Sequence, residues 1–146
     1  MVDTLDPKPR FSFWLTGAAA LLWNLFGLML YVMQVSATRE QLAAKYTPAQ
    51  VDLMLSIPPW ATSTTAIATT AGVLGCVLLL LRRAMSTSVF IISLVALLIQ
   101  DLYMFGMTDT LAVMGAGPLA IQAVVLAVAI FLVWYARRAT ASGLLR

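Results

Sequence analysis

The chain has 146 residues, of which 62% are hydrophobic and only 10% charged, with a formal net charge of +3. Its mean hydropathy is +0.94. A water-soluble domain is about 45–50% apolar and about 25% charged, so this composition excludes that class and points to a membrane protein. The pI near 9.4 does not indicate nucleic acid, because the basic residues stand at the ends of apolar segments, where they set orientation. Cys76 is the single cysteine and there is no histidine. An intrachain disulfide is therefore impossible, and the usual zinc, copper or haem ligand sets are missing. No cofactor is expected.

Residues 1–10 are polar and carry Pro7 and Pro9, as expected of a short flexible tail. The first span is expected at about 12–36. Its apolar core is about twice the 7–15 residues of a signal-peptide core, so it reads as a retained span. Gly17, Ala20, Asn24, Gly27, Tyr31 and Gln34 recur at steps of three and four, which puts them on one side of a helix. Residues 38–56 form the one sizeable polar segment. Thr38 with Gln41, and Thr47 with Gln50, fit the capping box, and Pro48 suits a first helical turn. One or two short helices are expected here, an amphipathic segment in the first outer loop whose Leu42, Tyr46, Val51, Met54 and Leu55 rest on the membrane or cap the bundle.

The second span is expected at about 58–81, entered through Pro58-Pro59-Trp60 and stopped by Arg82-Arg83. A third follows at about 86–107. Residues 108–117 read as a short turn. Pro118 opens the fourth span, at about 118–136, ending before Arg137-Arg138, and the tail beyond Ala139 reads as loose. Small residues at three- and four-residue spacing, Ala68 with Gly72, Ala71 with Gly75, and Ala116, Ala120, Ala123 and Ala127, suit close helix packing within the bundle, with a dimer seam as the alternative. Trp14, Trp60 and Trp134 suit interfacial anchors. Lys8, Arg10, Arg82, Arg83, Arg137, Arg138 and Arg146 fall on one side and only Arg39 and Lys45 on the other. The expectation is thus an all-α, integral membrane four-helix bundle, one transmembrane domain over 1–146, with both termini in the cytoplasm.

Asp101 is the one acid inside an expected span. An ionised carboxylate at the bilayer centre costs about 2.5–3.5 kcal/mol on insertion scales, and this one lies about 8 Å below the outer interface by helix rise. It reads either as a proton- or cation-coupling group or as an acid that reaches outer water, Arg39 or Lys45. Around it, Asn24, Tyr31, Gln34, Thr65, Thr69, Gln100, Tyr103 and Gln122 supply polar side chains from all four spans in the middle and outer layers. Facing inward, they would line a pocket open to the outer side and closed toward the cytoplasm. Facing one another, they would only bond helix to helix, at about 0.6 kcal/mol per bond. There is no Ser-His or Cys-His pair, no carboxylate pair in one span and no phosphate-cradling glycine loop. The chain does not read as an enzyme.

Four short patterns, Trp23-Asn24-(x2)-Gly27, Pro59-Trp60, Gly72-(x2)-Gly75-(x)-Val77 running to Arg82-Arg83, and Gln100-(x2)-Tyr103, resemble a group of small bacterial four-helix inner-membrane proteins, uncharacterised and sometimes labelled sugar-transporter-like. The resemblance implies a multi-pass protein of the bacterial inner membrane and adds no mechanism. The chain also has the size and span count of the small multidrug resistance exporters, but departs from them where Asn24 stands in the first span without an acid. Two functions remain open, beside a weaker third, an enzyme at the outer surface built on residues 38–56. One is a solute-binding or transport-type module for a small polar or cationic solute, lined by the nine residues just named. The other is a non-catalytic accessory or assembly subunit of a larger membrane complex, or a homo-oligomer, whose polar stripes only hold helices together.

Overall fold

Four runs of apolar residues become helices because, in a medium without water, each backbone N–H and C=O must be bonded within its own segment. The computed structural model describes residues 7–146. Its long helices are α1 (Phe11–Ser36), α4 (Pro59–Leu80), α5 (Met85–Gly106) and α7 (Gly117–Ala141), with the short α2 (Arg39–Ala43), α3 (Pro48–Leu55) and α6 (Thr110–Met114) between them. At 1.5 Å per residue the long helices reach about 33–39 Å, enough to cross a hydrocarbon core of about 30 Å. All four are apolar enough to span a membrane. Their outward faces carry Leu22, Phe26, Met29, Ile92, Leu102, Ile130 and others exposed, a surface far larger than a soluble monomer leaves bare. These features fit a small multi-pass membrane protein in contact with lipid.

The long helices stand in a row, with α1 packed on α4, α4 on α5 and α5 on α7. Small residues set the two tightest joints. Ser93 Oγ donates to the Ala68 carbonyl at 2.7 Å and Ser86 Oγ to the Gly75 carbonyl at 2.9 Å. A Cβ at Gly72 would collide with the Asn24 side-chain oxygen, and one at Gly75 with the Phe90 ring. The pairs Ala68/Gly72 and Ala71/Gly75 therefore serve packing within the bundle. The alanine row of α7 does not. Ala116, Ala120, Ala123 and Ala127 are all exposed, because α7 turns Val125, Leu126 and Ala129 toward α5 instead.

One end of the bundle carries the paired arginines, and here the core is dry. Phe13, Cys76, Leu79, Phe90, Leu132 and Ala136 pack together from all four long helices. At this end α1 also meets α7, with Phe13 stacked on Tyr135 at 6.3 Å. Two expectations fail at this end. First, α7 continues past Arg137-Arg138 to Ala141. Basic side chains are favourable in the last turn of a helix, and Arg138 lies over the Trp134 ring at 5.4 Å. Second, the tail is pinned rather than loose. Arg146 N donates to Arg82 O, Ala84 N to Arg146 O, and Arg82 Nε to Leu144 O, each at 2.8 Å. Leu145 is buried by this clasp. Arg82 occupies a left-handed conformation, φ 58°, closing α4 with a bond from Arg83 N to Leu78 O, in the manner of a Schellman turn. Of the polar tail expected over residues 1–10, residues 1–6 lie outside the described residues. The Pro7 carbonyl accepts from Arg82 Nη2 at 3.3 Å.

The opposite end is roofed by the short helices. Both capping boxes form, Thr38 with Gln41 and Thr47 with Gln50. Residues 108–117, expected as a simple turn, contain α6, where Thr110 is buried and shares a 2.6 Å hydrogen bond with Thr108. Gln50 Nε2 donates to the Val113 carbonyl at 3.3 Å and ties α3 to α6. Thr47→Ala removes the cap of an eight-residue helix, a change that costs about 1 kcal/mol. Hydrogen exchange of the amides in 48–55 is expected to accelerate severalfold while exchange within α4 and α5 stays unchanged.

Candidate functional site

Three glutamines from three different helices converge near the roofed end of the bundle. Gln100 sits six residues before the end of α5, Gln122 five residues into α7, and Gln34 near the end of α1. At 1.5 Å per residue, Gln100 and Gln122 lie about 8–9 Å inside their helix ends on the roofed side. Thr65 of α4 lies at a matching depth, six residues after Pro59. The helices that carry these residues are spaced by the small-residue joints below them, and the space left between them is a pair of adjoining cavities.

The upper cavity has a volume of about 470 Å³ and lies under the roof, against Leu42, Tyr46 and Met54 of the first short segment and Thr110 and Met114 of α6. The lower one, about 290 Å³, lies between the spans and ends on Phe90 and Leu132, which belong to the dry core at the arginine end. Tyr31, Gln34, Thr65, Gln100, Ile121 and Gln122 line both. These six form a girdle where the cavities meet.

Of the nine residues singled out in the sequence, Tyr31, Gln34, Thr65, Gln100 and Gln122 are in the girdle. Tyr103 lines the upper cavity, while Asn24 and Thr69 line the lower one. Asp101 lines neither. Its Oδ1 instead accepts from Gln122 Nε2 at 2.5 Å, so the acid stands behind the girdle and holds one of its amides. The alternative partner Arg39 is engaged elsewhere, donating to Asp52 Oδ1 at 3.0 Å on the exposed face of α2 and α3.

The polar side chains differ in what they still have to offer. The hydroxyls of Thr62, Ser63, Thr64, Thr65 and Thr69 each donate to a carbonyl one turn back in α4, the usual resort of hydroxyls in a span. Asn24 Nδ2 donates to Ala20 O at 2.9 Å and approaches Cys76 Sγ at 3.4 Å. Tyr31 reaches the Thr62 carbonyl at 3.4 Å. The amides of Gln34 and Gln100 form no hydrogen bond among the described residues, and Gln122 has one N–H engaged. An amide has two donors and an acceptor with two lone pairs. The girdle is thus where unspent hydrogen-bonding capacity collects. Among the described residues, neither cavity wall contains Asp, Glu, Lys or Arg.

Two residues outside those nine also line the cavities. Ser93, seven residues or two turns before Gln100 and so on the same face of α5, lines the lower one. Tyr46, expected with Leu42, Met54 and Leu55 to rest on the membrane or cap the bundle, is brought against the upper cavity by the fold-back of α2 and α3. The wall of Tyr103 is itself backed by Trp60, edge-on at 4.9 Å, so Trp60 is more than an interfacial anchor. The chain matches no family model, no curated protein and no solved structure.

Proposed function

We propose that the protein is a solute-binding module of transport type, without enzymatic activity, in a bacterial inner membrane with both termini in the cytoplasm. The observation that carries this reading is the girdle: three glutamine amides from three helices, largely unspent, at the junction of two cavities. Amides used only to join helices would be bonded to one another. A wall without charged groups favours an uncharged solute over a cationic one, since an unpaired cation loses its hydration there without compensation. Asp101 acts as a positioning residue for Gln122. The dry core at the arginine end supports a pocket closed toward the cytoplasm. A membrane reporter fused after Arg138 is expected to report a cytoplasmic location, and one inserted at Lys45 a periplasmic one.

Thermal-shift measurements on the purified protein with a panel of uncharged hydroxyl, carbonyl and amide compounds test the binding reading. At least one compound is expected to stabilise the wild type. Its affinity should fall about 10- to 100-fold in Gln100→Leu, the loss of one or two hydrogen bonds. The accessory-subunit reading has one observation in its favour, the exposed alanine row on α7. It gains if no compound binds and a partner co-purifies stoichiometrically unless Ala120 and Ala123 are enlarged to leucine.

A further inference from the structure

We infer that the solute is an uncharged amphiphile drawn from the bilayer through the gap between α1 and α7, its hydroxyl or carbonyl head on the glutamine girdle and its hydrocarbon tail in the lower cavity. This rests on the solute-binding reading and narrows it to a ligand class and a route.

The route follows from the row-like packing. α1 and α7 are the two ends of the row and close on each other at the arginine end through Phe13 and Tyr135. Above that contact the lower cavity is bounded by Trp23, Phe26 and Leu30 of α1 and by Ile121 of α7. These same side chains are exposed on the outer surface of the bundle, Leu30 at 48% and Ile121 at 65%. A residue that both lines a cavity and faces outward marks an opening. This opening lies along spans that face lipid, not at a helix end that faces water. The dry core stops the cavity below, and the roof of α2, α3 and α6 stands over it.

The ligand class follows from where hydrogen bonds remain to be made. Below the girdle the wall is Leu97, Val125, Val128 and Ala129, with Phe90 and Leu132 at the floor. The polar groups found at that depth have their donors engaged: Ser93 with Ala68 O, Thr69 with Thr65 O, and Asn24 with Ala20 O. A fully polar solute seated there would give up water for few partners. A chain of methylenes loses nothing by moving from lipid into such a wall, while its head gains the amides of Gln34 and Gln100. A charged head is disfavoured because, among the described residues, neither cavity wall supplies a counter-charge.

Trp23 borders the gap and provides a readout. The protein is reconstituted in phosphatidylcholine vesicles and titrated with 11-bromoundecanoyl glycerol, whose bromine quenches indole fluorescence at contact. The Trp23 contribution is isolated by difference against Trp23→Phe. Quenching is expected to saturate at low mole fraction. Unbrominated undecanoyl glycerol should reverse it, whereas undecanoate and glycerol should not. Half-saturation is expected to rise at least tenfold in Gln100→Leu, and Val125→Phe, which fills the tail space, should abolish saturation. The competition series needs no variant, so a misfolded mutant leaves the outcome readable. If glycerol competes as well as the acylated form, or undecanoate as well as the neutral ester, the amphiphile assignment is wrong while solute binding at the girdle stands. If quenching only rises in proportion to bulk probe and no neutral compound stabilises the protein, both readings fall together.

Discussion

Gly75→Leu is expected to prevent the protein from accumulating in a folded form, and Gly75→Ala to lower its stability by about 1–3 kcal/mol, the range for forcing extra volume into a packed core. A Cβ at this position would lie 2.6 Å from two atoms of the Phe90 ring. The ring is 2% exposed, so it has nowhere to go. The backbone of α4 is held in place at the same point, because the Gly75 carbonyl accepts from Ser86, itself fully buried. A native state stable by about 5–15 kcal/mol loses a large share to such a change. Two other glycines calibrate the measurement. A Cβ at Gly17 meets the end of the Leu80 side chain, which is only partly buried and flexible, and one at Gly27 meets nothing within 4 Å. Thermal unfolding in detergent should therefore rank the alanine variants Gly75 far below Gly17, with Gly27 near or above the wild type because alanine favours the helix. Equal losses at Gly75 and Gly27 would contradict the α4–α5 joint described here.

The second large effect is expected at the Asp101–Gln122 pair. Gln122→Leu leaves the carboxylate, inside a span, without the N–H that it accepts from. A polar group orphaned in full burial costs about 1–3 kcal/mol, and the half-buried Asp101 is expected toward the lower end of that range. Asp101→Asn keeps an acceptor oxygen in the same place and is expected to be nearly neutral in stability. Removing both with Asp101→Leu and Gln122→Leu should recover much of the loss, giving a coupling energy of at least about 1 kcal/mol in a double-mutant cycle. Ligand affinity separates positioning from contact. Asp101→Asn should hold affinity within about threefold. Asp101→Leu, which frees the Gln122 amide to rotate, should weaken it about tenfold, or about 1.4 kcal/mol. If Asp101→Asn alone abolished binding, the acid would have to touch the ligand, against the placement of its side chain outside both cavities.

Much of the architecture was legible before any coordinates. The four spans could be bounded to within a residue or two except at the end of α7, because a lipid-embedded backbone must be helical and the apolar runs have the length to cross. The two capping boxes were readable from four residues because the cap is a local exchange between a side chain and the N–H groups three residues on. The level of the polar side chains was readable as well, since helix rise converts sequence position into depth. What failed were features made by distant contacts. The tail beyond Ala139 is pinned by hydrogen bonds to Arg82 and Ala84, more than fifty residues away in sequence. The alanine row of α7 follows the same spacing rule as the glycine pairs of α4, yet lies outside.

The chain by itself thus determined how many helices cross, how deep each side chain sits, and that hydrogen-bonding groups gather toward one end. Only the tertiary structure decided which way each helix is rotated. That rotation sends Gln100 into the cavities and its neighbour Asp101, about 100° further around the same helix, onto Gln122 instead. The physical reason is that depth is set by the covalent chain, whereas rotation is set by the contacts of Gly72 with Asn24 and Gly75 with Phe90, which join residues far apart in sequence.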